Sequence, residues 1–414
     1  MSLDFSLSNT HKSWQQVARD IAQTELAPRA VEIDRAGRFP RDNFLALTKA
    51  GLMGLMVPEE FGGQGGDVLT SVLVTEALAE VCGSTAMCYH MHNSSVVPLV
   101  ALAKDEQIDE FLLPVPNGEN ILTYAVSEPG SGSRWWHMDG YAEKDSEGFT
   151  INTYKSFATS AGEADSYIVL ARANPTAKPD VLSVFLVPGN TPGVAVAGCW
   201  DALGMRGNRS APMKFDNCRL RKVHLLGDEG LGFLHLFQYA IPVFLVGMAG
   251  VYLGIAQAAF DFAVSHVTKR VHADTGLPLS ATETVQRYVS EMKFRLDQTR
   301  LIVYRTAALI SETLQNEDTE QFLVVSHSTD WLLAIGEAKV IACEAATAVT
   351  STAMQLCGGF GYSRSQPLER FFRDARAGSI MGPNDDSIKL IIGQRLLGQP
   401  FPWEKDDVNR SLQA

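Results

Sequence analysis

Tyr124-Ala125-Val126-Ser127-Glu128-Pro129-Gly130-Ser131-Gly132-Ser133 and Lys155-Ser156-Phe157-Ala158-Thr159-Ser160-Ala161-Gly162 are the two segments on which the reading of this chain turns. The first begins as a β-type run and breaks into a Gly/Ser/Pro loop. Such a loop brings backbone N–H groups and small hydroxyls close to a phosphate or the edge of a heterocycle, because nothing bulky holds the ligand off. The second segment follows a Glu147-Gly148 turn and the β-type run Phe149-Thr150-Ile151-Asn152. Phe157 and Thr159 are two residues apart, so on a strand they share a face. There the ring can lie against a flat cofactor while the hydroxyl bonds its polar edge. Together the two segments predict a flavin cradle.

Outward from the cradle, the texture changes on both sides. Before it, His11 to Arg35 and Asp42 to Met53 alternate polar and apolar positions at helical spacing. Val57-Pro58-Glu59-Glu60-Phe61-Gly62-Gly63-Gln64-Gly65-Gly66 is too Gly-rich for either regular element and reads as a connector. Thr70 to Val81 reads as an amphipathic helix, and another runs from about Cys82 through Leu102. His90 and His92 lie at i, i+2 and do not share a helix face, so no metal site is expected. His92 and Asn93 are candidates for a polar helix end lining a substrate cleft, with structural capping as the alternative.

From about Ile121, short β-type runs alternate with turn clusters: Ser166 to Leu170, Leu182 to Val187, Val194 to Val196 and Met213 to Phe215. Pro-Gly and Asp-Asn punctuation between them predicts an antiparallel barrel or sandwich. After the Gly227-Asp228-Glu229-Gly230 turn the helical period returns, in segments 231–268, 280–315, 319–357 and 385–397. The class is therefore α+β, in the order helices, sheet, helices. The domains are 1–120, a helical domain, 121–230, a central antiparallel β-domain, and 231–414, a helical bundle domain.

Composition narrows the function classes. A chain of 414 residues with 46% hydrophobic content supports large cores. A net charge of −12 argues against a nucleic-acid binder, whose footprint is basic. Six scattered cysteines without a CxxC pair fit a reducing cytoplasm better than a disulfide framework or a zinc site. Met1-Ser2-Leu3-Asp4-Phe5 lacks the basic and apolar regions of a signal peptide, and a cytoplasmic location is expected. The run from Leu231 to Phe260 is long enough to cross a membrane. His235, Gln238, Gln257 and Pro242 interrupt it, so it reads instead as a helix buried on most sides. Gly247, Gly250 and Gly254 would let neighbouring helices approach it closely.

Four motifs, in order, resemble the acyl-CoA dehydrogenase superfamily. They are Pro58-Glu59-Glu60-Phe61-Gly62-Gly63, the Tyr124 to Ser133 strand and loop, Phe157-Ala158-Thr159, and Gln355-Leu356-Cys357-Gly358-Gly359-Phe360-Gly361-Tyr362 followed by Arg373-Asp374-Ala375-Arg376. The resemblance spans nearly the whole chain. It implies a C-terminal four-helix bundle and non-covalent FAD between that bundle and the β-domain. By matched position it implies that Tyr124, Val126 and Ser127 line the flavin edge, with Ser133 reaching the pyrophosphate and Gly132 a further cofactor-binding residue. Phe157 would flank the isoalloxazine and Thr159 would bond near its reactive nitrogen. Gln355, Gly358 and Gly359 would contact the adenine half of a neighbouring subunit's FAD, and Asn384 and Arg270 are further cofactor-binding candidates. The aromatic-Gly expected after Arg270 is replaced by Val271-His272. The implied partners are an acyl thioester substrate, an electron-accepting flavoprotein and further copies of the chain, as a tetramer or a dimer.

The implied reaction removes hydrogens from Cα and Cβ of an acyl thioester, and it needs a base for the α-proton and polarisation of the thioester oxygen. Here the chain departs from its relatives. The two positions at which the family carries its catalytic Glu fall on Gly382 and Phe244. Asp385 and Asp386 are the candidates for a displaced acid, against N-capping of the following helix as the alternative use. Phe244 and His92 are candidate substrate contacts. So is Arg134, in Ser133-Arg134-Trp135-Trp136, where an Arg beside two Trp could grip an anionic or aromatic group. The expected activity is FAD-dependent dehydrogenation of an acyl thioester. A monooxygenase of the same fold, which needs no such base, is the alternative.

Overall fold

The computed structural model describes residues 7–132, 134, 136–315 and 329–400. Its first part is helical: α1 (Asn9–Ile21), α2 (Ala27–Ala36), α3 (Arg41–Lys49), α4 (Val68–Ala79) and α5 (Gly83–Leu102). Asp67 caps α4 by accepting from Thr70 N at 2.7 Å. Every residue of α4 is buried, Thr70, Ser71, Thr75 and the ion-paired Glu76 included, so it is a helix enclosed on all sides rather than an amphipathic one. It packs against α1, α5 and two helices of the C-terminal part.

The middle part is an eight-stranded sheet built from β1 (Leu122–Ala125), β2 (Tyr141–Lys144), β3 (Gly148–Ala158), β4 (Ser166–Arg172), β5 (Leu182–Pro188), β6 (Val194–Val196), β7 (Ala211–Arg221) and β8 (Leu225–Leu226). The order is β6-β7-β3-β2-β4-β5-β8, with β1 paired to β4. Most ladders are antiparallel, as expected. The exceptions are β1, which pairs parallel to β4, and the single parallel contact of Tyr141 with Arg172. The long chain between β1 and β4 gives the crossover that parallel pairing requires.

The C-terminal part holds α6 (Ile241–Lys269), α7 (Glu283–Leu314), α8 (Thr329–Tyr362, broken at Gly358 with φ 55), α9 (Leu368–Gly378) and α10 (Asp385–Leu396). The sequence pattern had not marked α9 as a helix. The most apolar window of the segment 232–269 is 83% buried inside the protein, so α6 is the core helix of the molecule. Its glycines serve close approach. A Cβ on Gly254 would lie 2.2 Å from Glu76 O, and one on Gly247 would lie 2.2 Å from the His90 ring. This tight fit of α6 to α4 and α5 fixes the helices that form one wall of the site.

Candidate active site

A cavity of about 380 Å³ opens where the three parts meet. The sheet side contributes Tyr124, Val126, Ser127, Phe157 and Thr159. The bundle side contributes Leu236, Ile241, Phe244 and the turn 380–383, and α5 contributes Met91. A shift of register between Lys155 and Ala158 marks an irregularity in β3 against β7. Such irregularities re-aim side chains, and Phe157 is left 61% exposed. Its ring meets the Trp200 edge at 6.0 Å and 72°.

Hydrogen bonds join the two halves of the cradle. Ser156 N donates to Ser127 O at 2.8 Å, and Thr123 Oγ1 donates to Thr159 O at 2.9 Å. The Thr159 and Ser210 hydroxyls are 2.9 Å apart. Tyr124 donates its hydroxyl to Ser94 O, and burial holds its pKa well above the usual phenol value. Its ring meets Phe244 edge-on at 6.2 Å, and Phe244 in turn stacks on His90 at 5.7 Å.

Glu128 follows the cradle strand but faces away from the cavity. It is buried, and it accepts from Lys155 Nζ at 2.7 Å, Thr153 Oγ1 at 2.6 Å, Asp139 N at 2.6 Å and Gly140 N at 3.1 Å. Burial alone would raise its pKa, but Lys155 and these donors hold it below the usual carboxylate value. The group ties the cradle loop to the sheet.

His92 is buried and accepts from Leu122 N at its Nδ1, 3.1 Å away, so its Nε2 carries the proton that reaches Met53 O at 3.0 Å. Burial lowers its pKa to about 4. It is a neutral tie between α5 and β1 and does not line the cavity. Asp385 is buried in an ion pair with Lys339 at 2.6 Å, and Asp386 is exposed; neither lines the cavity. Asn384 caps α10, accepting from Ser387 N at 2.8 Å, so its side-chain oxygen serves the helix. Arg134 is exposed and stands outside the cavity wall, and Gly132 has a φ of 50° with open space where a Cβ would be. Ser133 lies outside the described residues. Arg270, Gln355, Gly358 and Gly359 are brought together in a second depression, with His266, Lys269 and Phe360, which shares no lining residue with the first.

Several wall residues were not picked out from the sequence. Trp200, Leu203, Met205, Asn208 and Ser210 belong to one loop, and Arg373, Arg376 and Ala377 to α9. The available signal was Leu203-Gly204-Met205-Arg206-Gly207-Asn208. Gly204 passes so close to α9 that a Cβ would sit 2.3 Å from Arg373 O.

The cavity suits a flat heterocycle. Its walls are mostly apolar, one aromatic ring is left bare, and hydroxyls of Ser127, Thr159 and Ser210 supply polar contacts. The chemistry of this donor set fits the isoalloxazine of FAD.

Comparison with known proteins agrees. Profiles for the N-terminal, middle and C-terminal domains of acyl-CoA dehydrogenase match residues 8–119, 123–218 and 234–397. The short-chain specific acyl-CoA dehydrogenase of Rattus norvegicus mitochondria is 33% identical over 392 residues, covering 94% of this chain and 91% of that protein. The butyryl-CoA dehydrogenase structure from Megasphaera elsdenii superposes with a TM-score of 0.87 at 27% identity, covering 95% of this chain and all (100%) of that one. A chain in a structure described as the electron transferring flavoprotein of Acidaminococcus fermentans gives a TM-score of 0.87 at 28% identity, with coverage of 95% and 100%.

Proposed function

This chain belongs to the acyl-CoA dehydrogenase family, and we propose from that premise that the cavity beneath Phe157 is where its acyl-CoA substrate is dehydrogenated. The protein is an FAD-dependent oxidoreductase acting on CH–CH groups. The observation that carries the site is the bare Phe157 ring, which lines a mostly apolar pocket together with Thr159.

FAD bound here would supply the acceptor for the β-hydride. Tyr124, Val126 and Ser127 would hold one edge of it, Phe157 would cover a face, and Thr159 with Ser210 would offer hydroxyls. Met91, Leu236, Ile241 and Phe244 exclude water from the opposite side, which strengthens each polar contact inside.

Among the described residues, no carboxylate or imidazole lines the cavity. We place the proton acceptor just behind the wall instead. We assign it to Asp385, two positions beyond the wall residue Pro383. Its described hydrogen bonds and ion pair run through Oδ1 to Lys339, leaving the second oxygen for the proton. Support for the dehydrogenase reading over the monooxygenase comes from the dehydrogenase names of the curated relatives.

The second depression, with Arg270, Gln355, Gly358 and Gly359, suits the adenine half of FAD from another copy, and assembly as a tetramer or dimer follows from that reading. The likeness to a chain described with an electron transferring flavoprotein supports such a flavoprotein as the electron acceptor.

The test is anaerobic: flavin-loaded enzyme is mixed with a panel of acyl-CoA thioesters of increasing chain length and the flavin absorbance is followed. Bleaching by at least one member, with the unsaturated thioester as product, is the expected result. A flavin that no thioester bleaches would overturn the reading.

A further inference from the structure

The loop 199–210 closes one side of the cavity, and it is held at one residue, Met205, from two directions. Met205 N donates to Asp374 Oδ1 at 2.6 Å. Met205 O accepts from Trp200 Nε1 at 2.9 Å. Met205 itself has a φ of 50°, a left-handed conformation that a side chain such as Met rarely adopts and that persists only where its surroundings impose it. The Trp200 ring then stands edge-on to Phe157. A continuous path therefore runs from a carboxylate on α9, through the left-handed residue Met205, to the aromatic wall of the cavity.

The rest of the loop is anchored independently. Arg373 donates to Leu203 O at 2.9 Å while its other contacts go to Asp34 and Glu369. Arg206 Nε donates to Asp34 O at 2.9 Å, and Gly207 N donates to Ser84 Oγ at 3.2 Å. These contacts fix the flanks of the loop; Asn208 N also donates to Met205 O at 3.2 Å, and the Met205 N–H goes to Asp374.

Asp374 is 2% exposed, and neither nearby guanidinium is described as bonding it: Arg370 reaches Val81 O, and Arg373 reaches Asp34. The ionisable groups that act on it or on which it acts are Arg370 and Arg373 of its own helix, Asp34 of α2, Cys82 ahead of α5 and Tyr252 of α6. A buried carboxylate whose described hydrogen bond is a single amide is an expensive anchor. An amide side chain would accept the same bond without the charge. The charge makes the hold on Met205 stronger than a neutral acceptor would.

We propose that Asp374 is a positioning residue for the cavity wall: through the backbone of Met205 it sets where Trp200 stands against Phe157, and so how closely the wall fits the flavin. This rests on the cavity being the flavin site. Burial raises the Asp374 pKa to about 6, so the hold is at full strength above that pH and is relaxed as the pH falls through it.

The chain has six tryptophans, and fluorotryptophan labelling of the full-length protein with fluorine NMR separates them, with Trp200→Phe identifying the relevant line. In the wild type, the Trp200 line is expected to move with a midpoint near pH 6, and FAD affinity to fall several-fold on the acid side. In Asp374→Asn the line should not titrate and should sit at the acid position. Asp374→Glu should restore a titration. A Trp200 line that is flat with pH in the wild type, or that titrates equally in Asp374→Asn, overturns the proposal. If Asp374→Asn does not fold, the wild-type titration decides alone. Failure of every thioester to bleach the flavin would sink the activity reading without moving the Trp200 line, so the two outcomes are separable.

Discussion

Two buried lysine–carboxylate pairs stand behind opposite walls of the cavity. On the sheet side, Lys155 meets Glu128 at 2.7 Å; on the bundle side, Lys339 meets Asp385 at 2.6 Å. Both lysines are fully buried. Their surroundings differ. Glu128 has both oxygens engaged, one by Lys155 and Thr153 and the other by two backbone amides, and Lys155 also donates to Leu170 O. Asp385 is held through Oδ1 by Lys339, which also reaches Pro383 O at 3.1 Å. A carboxylate with no oxygen to spare is a lock. One with an oxygen to spare, beside a turn that lines the cavity, can still do chemistry.

The largest effect expected from this contrast is on folding. Glu128→Ala leaves Lys155 buried without its counter-charge and frees two amides, a loss of roughly 3–5 kcal/mol. Urea denaturation measures it. A loss under about 1 kcal/mol would mean that the sheet-side pair is no lock, and the distinction drawn above would collapse.

The second effect is on rate. Asp385→Asn keeps an acceptor for Lys339 but removes the base, and flavin reduction by a good acyl-CoA should slow by about two orders of magnitude. That corresponds to roughly 2.7 kcal/mol of barrier. Asp386→Asn, at an exposed position, should leave the rate close to wild type. Stopped-flow reduction of both variants checks this, and an unchanged rate in Asp385→Asn would remove it from the mechanism.

The same contrast explains what could be read from the sequence and what could not. Phe157 and Thr159 were legible as cavity residues because their signal is local, two positions apart next to a Gly/Ser loop. The shared strand face was not, since β3 ends at Ala158 and Thr159 lies in the turn after it. The histidines were legible in part. Their i, i+2 spacing sends them to different partners, His90 to Phe244 O and His92 to Met53 O, and so excludes a shared ligand. The particular partners, 154 and 39 residues away, were not in the pattern. For Asp385, local spacing favoured a helix cap; Asn384 takes that role, and the lysine that meets Asp385 sits 46 residues earlier on another helix. The wall from Trp200 to Ser210 was hidden for the same reason. Its residues are ordinary loop residues until α9, 169 positions along the chain from Met205, supplies Asp374. Helices and strands declare themselves by period, whereas buried polar partners are chosen by tertiary approach.

Glu80 gives a third kind of carboxylate and the smallest of the expected effects. It ends α4, and among the described residues no cation forms an ion pair with it. Burial, and then the nearby Glu76, raise its pKa to about 7. The sign follows from proton uptake. Between about 4.5 and 7 the unfolded chain has released this proton while the folded protein keeps it, so stability falls as the pH rises through that window. Glu80→Gln avoids the loss. After allowance for its partial exposure, the variant should be more stable than wild type by on the order of 1 kcal/mol at about pH 8, and the gain should vanish below about pH 4.5. Thermal melts of both proteins at the two ends of the range test it. A gain that persists unchanged into acid would mean that Glu80 is not the titrating group, and that a partly buried carboxylate without an ion pair costs less here than the locked sheet-side pair implies.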